Sequence, residues 1–202
     1  GKSTLLKILS GNLIPQKAEI TVSGSDGEKV VFPGKSFKDV TRYRELVGIV
    51  SQESHIFSES IAFNICLSED VPESFYTFWK WVEDKIPYIT EVWDVTPESK
   101  LDQKSISIGQ KQLLAAIRSC YLKKPIVLFD EVSSGLDSRL EMALRKVILL
   151  IQEQSLTFIV AHRLETVIKA NKLIVMEKGR VVAEGVHDQL LGNSAPYQEF
   201  IT

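Results

Sequence analysis

Residues 126–137 read Ile126-Val127-Leu128-Phe129-Asp130-Glu131-Val132-Ser133-Ser134-Gly135-Leu136-Asp137, and this stretch decides the fold. Four apolar residues run straight into two carboxylates, Pro125 stands just before them, and a Ser-Ser-Gly turn follows. A short continuous apolar run between breakers leaves no polar face for water, so it reads as a strand buried on both faces, as in a parallel sheet. Ligands of open α/β sheets bind beyond the carboxyl ends of such strands, where Asp130 and Glu131 stand ready for an ion or a reacting water. The same acids also suit a helix N-cap, with the next helix starting near Asp137.

Two further apolar runs end in the same way. Leu46-Val47-Gly48-Ile49-Val50-Ser51 leads to Gln52, and Thr157-Phe158-Ile159-Val160-Ala161 leads to His162. Taken alone, Gln52 suits a solvated loop and His162 a structural role. In a parallel sheet, however, the three strand ends converge on one edge, which would gather Gln52, Asp130, Glu131 and His162.

At the start, Gly1-Lys2-Ser3-Thr4-Leu5-Leu6-Lys7-Ile8-Leu9-Ser10-Gly11 has the form of the back half of a P-loop and its helix. Leu5, Leu6, Ile8 and Leu9 give an apolar helical face, and Gly11 can end the helix. In such loops the Lys reaches the β/γ-phosphates and the Ser/Thr hydroxyl ligates Mg²⁺, roles that Lys2 and Ser3 fit. The chain begins inside this pattern without a Met, which reads as a fragment lacking its N-terminal flank.

Residues 18–22 and 29–32 alternate like strands around Ser23-Gly24-Ser25-Asp26-Gly27, a hairpin signal. Residues 73–93 carry Phe75, Tyr76, Phe78, Trp79, Trp81, Tyr88 and Trp93 at roughly helical spacing, which reads as a packed helical subdomain rather than an aromatic binding surface. Polar residues 94–105 read as a loop. A helix then runs to about Tyr121, opened by Ser107 or Gly109, with Leu113, Leu114, Ala116, Ile117 and Cys120 on its core face. Its small-residue N-terminus suits either a phosphate or a simple cap. Residues 138–154 form another helix, residues 172–184 a hairpin around Glu177-Lys178-Gly179, and short helices close the chain, with His187 as a cap or packing residue.

Composition narrows the classes. With 202 residues, 44% hydrophobic and 25% charged, the chain suits one large domain or a core with an inserted subdomain, and disordered or collagen-like readings drop out. A net charge of −2 gives no electrostatic case for nucleic acid or an anionic membrane. Cys66 and Cys120 make no disulfide framework and read as buried thiols in a reducing compartment. No apolar stretch approaches bilayer-spanning length, and there is no signal peptide.

The order of these motifs resembles the nucleotide-binding domain of ATP-binding cassette (ABC) transporters over nearly the whole chain. Gly1-Lys2-Ser3-Thr4 is similar to the end of Walker A, Gln52 to the Q-loop glutamine, and Ile106-Ser107-Ile108-Gly109-Gln110 to the signature motif. Ile126–Glu131 is similar to Walker B with its glutamate, Ser133–Asp137 to the D-loop, and His162 to the switch histidine. Ser51-Gln52-Glu53 with residues 56–65, residues 160–167 and residues 185–191 are similar to exporter segments. Ile108 stands where the multidrug-resistance-protein branch often has Val. The sequence departs from the family at Ile106 and Ile108, where Leu and Gly are usual, and loop 94–105 lacks the glycine-rich exporter pattern.

The resemblance implies an α/β fold: a RecA-like P-loop NTPase core with a mainly parallel sheet (residues 1–52 and 121–202) and an inserted α-helical subdomain carrying the signature (53–120). It implies an ATPase that uses ATP and Mg²⁺ and dimerises head to tail with a second nucleotide-binding domain, identical or not. It would power export through transmembrane domains at the cytoplasmic face of a membrane, with no nucleic acid partner. Gly1, Lys2, Ser3 and Thr4 would hold phosphate, and Ser3, Asp130 and Gln52 would serve the metal. Glu131, His162 and Gln52 would act on the attacking water and γ-phosphate. Ser107, Gly109, Gln110 and Asp137 would face the partner's nucleotide. A soluble ABC ATPase of the DNA-repair or translation-factor kind, and a catalytically weak regulatory cassette, are the alternatives.

Overall fold

Residues 1–24, 27–130, 136–161 and 167–201 are described by the computed structural model. At its centre is β4 (Ile126–Asp130), flanked by β3 (Val47–Val50) and β5 (Leu156–Val160) in a three-stranded parallel sheet of order β3-β4-β5. Val50 pairs with Phe129 on one side and Asp130 with Val160 on the other. The uninterrupted apolar run of β4 has the expected cause. Side chains alternate across a strand, and here both faces are buried. Ile126 and Leu128 point into one apolar cluster, Val127 and Phe129 into the other.

The first cluster joins the sheet to α1 (Lys2–Leu9), to the antiparallel pair β1 (Ile20–Ser23) and β2 (Lys29–Phe32), and to α2 (Phe37–Glu45). Leu6, Val30, Phe32 and Tyr43 are its buried members from these elements, with the Phe32 and Tyr43 rings stacked 4.7 Å apart. Ser36 and Asp39 close α2 with a reciprocal capping box: each side chain accepts the other's backbone N–H.

The second cluster is larger. It packs α3 (Ile61–Cys66), α4 (Glu73–Lys85), α5 (Ile108–Tyr121) and α6 (Ser138–Gln152) against the opposite face of β4. Helix α4 stops before Pro87, because the residue ahead of a proline is pushed out of the helical region. Ile86 has φ −132° and ψ 75° accordingly. Residues Ile89–Trp93 then form a single π-helical turn, so residues 73–93 are two helical pieces rather than one. The aromatics there are packing: Phe75 and Trp79 are buried, and Phe75 meets Tyr121 edge-on at 5.6 Å.

The hairpin of β6 (Leu173–Glu177) and β7 (Arg180–Gly185) turns through Lys178 and Gly179, both at positive φ. Helices α7 (His187–Asn193) and α8 (Ala195–Ile201) follow, and His187 Nδ1 lies 2.5 Å from the Tyr197 hydroxyl, a packing contact. Cys66 and Cys120 are free thiols, and burial raises the pKa of both. Among the described residues no helix is long and apolar enough to cross a membrane.

Candidate functional site

The sheet register sets the site. Because Asp130 is level with Val160, the segments that leave β3, β4 and β5 all emerge at one edge. Gln52 lies two residues beyond β3 in a tight turn, where Ser51 N–H donates to Ser54 Oγ at 3.0 Å and Ser54 N–H donates back to the Ser51 carbonyl at 3.2 Å. Gln52 is exposed and Asp130 half-buried. Asp130 ends a strand, and the cap of the following helix is Asp137. Its Oδ1 accepts the N–H groups of Arg139 and Leu140 at 3.1 and 3.0 Å. The N-cap reading of the acidic pair therefore moves to Asp137.

Helix α1 approaches this edge from one face of the sheet. Its carboxyl end is anchored by α2: Tyr43 Oη donates to the Leu9 carbonyl at 2.7 Å, and the Arg44 guanidinium donates to the Gly11 carbonyl at 2.9 and 2.7 Å. Tyr43 and Arg44 lead directly into Leu46, whose carbonyl accepts the Ile126 N–H at the amino edge of the sheet. The far end of α1, with Gly1, Lys2, Ser3 and Thr4, is thus directed to the carboxyl edge that carries Gln52 and Asp130. All four are exposed there, and a Cβ on Gly1 would come 2.9 Å from Gly179 Cα in the β6–β7 turn.

Residues 106–110 lie elsewhere. Ser107 caps α5 in a second capping box, its Oγ accepting Gln110 N–H at 3.2 Å while Gln110 Oε1 accepts Ser107 N–H at 3.0 Å. Ile108, the first helical residue, has no positive φ and is 55% exposed, so this backbone tolerates a β-branched side chain. Gly109 is buried, and a Cβ there would meet Leu136 and Leu140 side-chain carbons at 2.4 and 2.5 Å. Small size at Gly109 serves the close approach of α5 to the start of α6. Tyr88 sits with them: burial raises its phenol, the Asp137 carboxylate raises it further, and a hydrogen bond with Gln110 opposes. Since α5 packs on the face of β4 opposite to α1, Ser107, Gly109, Gln110 and Asp137 form a second group apart from Lys2 and Ser3.

Glu131, His162 and the 133–135 part of the Ser133–Asp137 turn lie outside the described residues. The remaining donor set at the edge is an ammonium (Lys2), a hydroxyl (Ser3), a carboxamide (Gln52) and a carboxylate (Asp130). The hydroxyl, carboxamide and carboxylate are hard oxygen donors that fit Mg²⁺, which takes one or two carboxylates and completes its octahedron with phosphate and water, while the ammonium suits the phosphate's negative charge. Among the described residues no three His, Cys, Asp or Glu side chains gather to hold a metal by themselves. Pattern reading missed Gln103 and Arg118, which tie the segment after Gln52 to the loop before α5 and to α5 itself. Only the interruption of an apolar helix face by a cation marked Arg118.

The sequence pattern of the ABC transporter family matches residues 1–134, two thirds of the chain. The chain belongs to the ABC transporter family. This cassette is 30% identical over 200 residues to the ATP-dependent lipid A-core flippase of Francisella novicida, covering 98% of the cassette and 32% of the flippase. It is 34% identical over 200 residues to the mitochondrial iron-sulfur clusters transporter ATM1 of Candida albicans, covering 95% of the cassette and 25% of ATM1. The cassette therefore spans about a third or less of the length of these curated relatives. Its fold is similar to part of a bacterial Atm1-family ABC exporter solved with ATP bound, with a TM-score of 0.77 at 24% identity, covering 100% of the cassette and 34% of that chain.

Proposed function

We propose that this chain is the nucleotide-binding cassette of an exporter: it binds MgATP at the carboxyl edge of its sheet, hydrolyses it, and passes the closure to transmembrane domains. The observation that carries this is the direction of α1, which points Lys2 and Ser3 at the edge bearing Gln52 and Asp130. The Lys2 ammonium neutralises β/γ-phosphate charge. The Ser3 hydroxyl and the Asp130 carboxylate would hold Mg²⁺, which would supply charge stabilisation. Gln52 reaches the metal or the attacking water, Glu131 polarises that water, and His162 contacts the γ-phosphate. With little covalent work to do, these residues act by positioning and electrostatics.

The second group, Ser107, Gly109, Gln110 and Asp137, lies apart from its own Lys2, on helices packed against the opposite face of β4. A head-to-tail dimer with a second cassette brings it to the partner's γ-phosphate, which is the use its separation supports. On this reading residues 1–52 and 121–202 form the ATPase core and 53–120 the helical insert. The likeness to the lipid A-core flippase and to ATM1 supports a membrane transporter rather than a soluble ATPase.

The test is Glu131→Gln in the full-length protein. ATP binding is retained and turnover falls by about two to four orders of magnitude, the usual worth of a positioned proton acceptor. Turnover within threefold of wild type would remove Glu131 from this role.

A further inference from the structure

Residues 56–62, which follow Gln52, are tied to residues 97–103, which precede Ser107. Ile61 and Ala62 N–H donate to the carbonyls of Ser99 and Pro97 at 3.0 and 2.9 Å, and Leu101 N–H donates to the Glu59 carbonyl at 3.1 Å. Nearest the two motifs, the ties come from side chains. Gln103 Nε2 donates to the Ile56 carbonyl at 2.8 Å, from four residues before Ser107 to four residues after Gln52. Arg118, on α5, donates through Nε to the Asn64 carbonyl at 2.6 Å and through both Nη atoms to the His55 carbonyl at 3.2 Å. Arg118 is half-buried, its pKa is lowered by that burial, and the groups it donates to here are backbone carbonyls. A guanidinium held that way is a strut: its planar fork fixes the direction of two carbonyls at once. Asn64, fully buried, completes the clamp by accepting from Phe57 N–H at 2.8 Å and donating to the Phe57 carbonyl at 3.1 Å.

We propose that Gln103 and Arg118 are positioning residues, which lock the segment after Gln52 to the helix capped by Ser107 so that the two phosphate-facing motifs of one cassette move as one body. The proposal rests on the functional reading above and extends it to residues that touch no phosphate. Between Gln52 and the clamp there is only the Ser51–Ser54 turn. A shift of Gln52 on meeting nucleotide is therefore delivered to Ser107 through Ile56 and Gln103, and the reverse holds for Ser107 meeting the partner's nucleotide. Without the clamp, Gln52 is still present and still polar, but its approach to the metal and water is no longer set by where α5 stands.

The test is a double-mutant cycle on MgATP turnover in the full-length protein. Gln103→Leu removes the donor and keeps the bulk at an exposed position, so the variant folds, which its melting temperature checks. One lost hydrogen bond corresponds to about a fivefold fall in kcat. In a Gln52→Ala background the same change lowers kcat less than twofold, because the residue through which Gln103 acts is gone. Arg118→Lys, which keeps the cation and loses the fork, shows the same pattern. Losses that multiply across the two backgrounds overturn the proposal, as does a Gln103→Leu variant with wild-type kcat. A wild-type protein that does not hydrolyse ATP fails the functional reading itself, before any variant is compared, and takes this proposal with it.

Discussion

Gly109→Ala tests the close approach of α5 to the start of α6, read through stability alone. Two effects of opposite sign compete. Alanine is favoured over glycine in a helix by up to about 1 kcal/mol, and by less in the first turn. Against this, the new methyl would stand 2.4 Å from Leu136 Cδ2 and 2.5 Å from Leu140 Cδ2. Carbon atoms rest about 3.5–4.0 Å apart, so both leucine ends must retreat by about 1 Å. Leu140 is 3% exposed, between α5 and α6, with little room to retreat into. Overpacking of that kind costs about 1–3 kcal/mol, so the variant loses about 1–2 kcal/mol net. For a chain of this length that is a fall of about 2–8 °C in melting temperature, and a lower urea midpoint at unchanged slope. Gly192→Ala is the internal control. Gly192 lies in α7 with nothing within 4 Å of its would-be Cβ, so there only the propensity gain remains and stability rises. If Gly109→Ala also raises the midpoint, as Gly192→Ala does, the reasoning from close approach is refuted.

Three further outcomes are expected. In full-length protein carrying Glu131→Gln, Ser107→Arg abolishes ATP-driven dimerisation while Ile108→Gly changes it little, read by light scattering during size-exclusion chromatography; a large gain in dimer from Ile108→Gly would mark a degenerate signature. Asp137→Ala lowers stability by about 1 kcal/mol through the lost cap whereas Asp137→Asn, also a good cap, keeps it, as urea unfolding will read. The Asp39 carboxyl is held below its ordinary 3.8, first by the Ser36 hydroxyl and then by the Lys35 and Ser36 N–H groups. Its folded-state pKa is depressed, so its contribution is present above the ordinary carboxylate value and lost as pH falls through the lowered one. Wild type and Asp39→Asn should therefore differ in urea midpoint at pH 7 and converge at the acid end.

The central strand was legible because burial on both faces leaves an unmistakable mark, four apolar residues with no alternation. The start of α5 was legible as Ser107 or Gly109 because small residues before an apolar helix face are a local signal, and the capping box of Ser107 with Gln110 settles it on Ser107. Helix α2 was not anticipated: its apolar residues are few, and Phe37 is 81% exposed, so no clear stripe exists. The remaining signal was Ser36 with Asp39 three residues on. Periodicity told which side of α1 and α5 is buried but not against what, so their placement on opposite faces of β4 had to come from the structure. The clamp was illegible for a related reason. Gln103 reaches a carbonyl 47 residues away, and Arg118 one 63 residues away. A main-chain acceptor carries no side-chain signature at either distance.

The anchoring of α1 has a mechanical side. Its 8 residues make a rod about 12 Å long, fixed at the Leu9 end and, in the proposed function, used at the Lys2 end. On a lever of that length an angular error of about 5° becomes a displacement of about 1 Å, and misplacement on that scale can cost a hundredfold in rate. The tolerance of the Lys2 end is therefore set at the opposite rim of the sheet, where Tyr43 and Arg44 grip the Leu9 and Gly11 carbonyls. Slack in that grip is magnified at the Lys2 end.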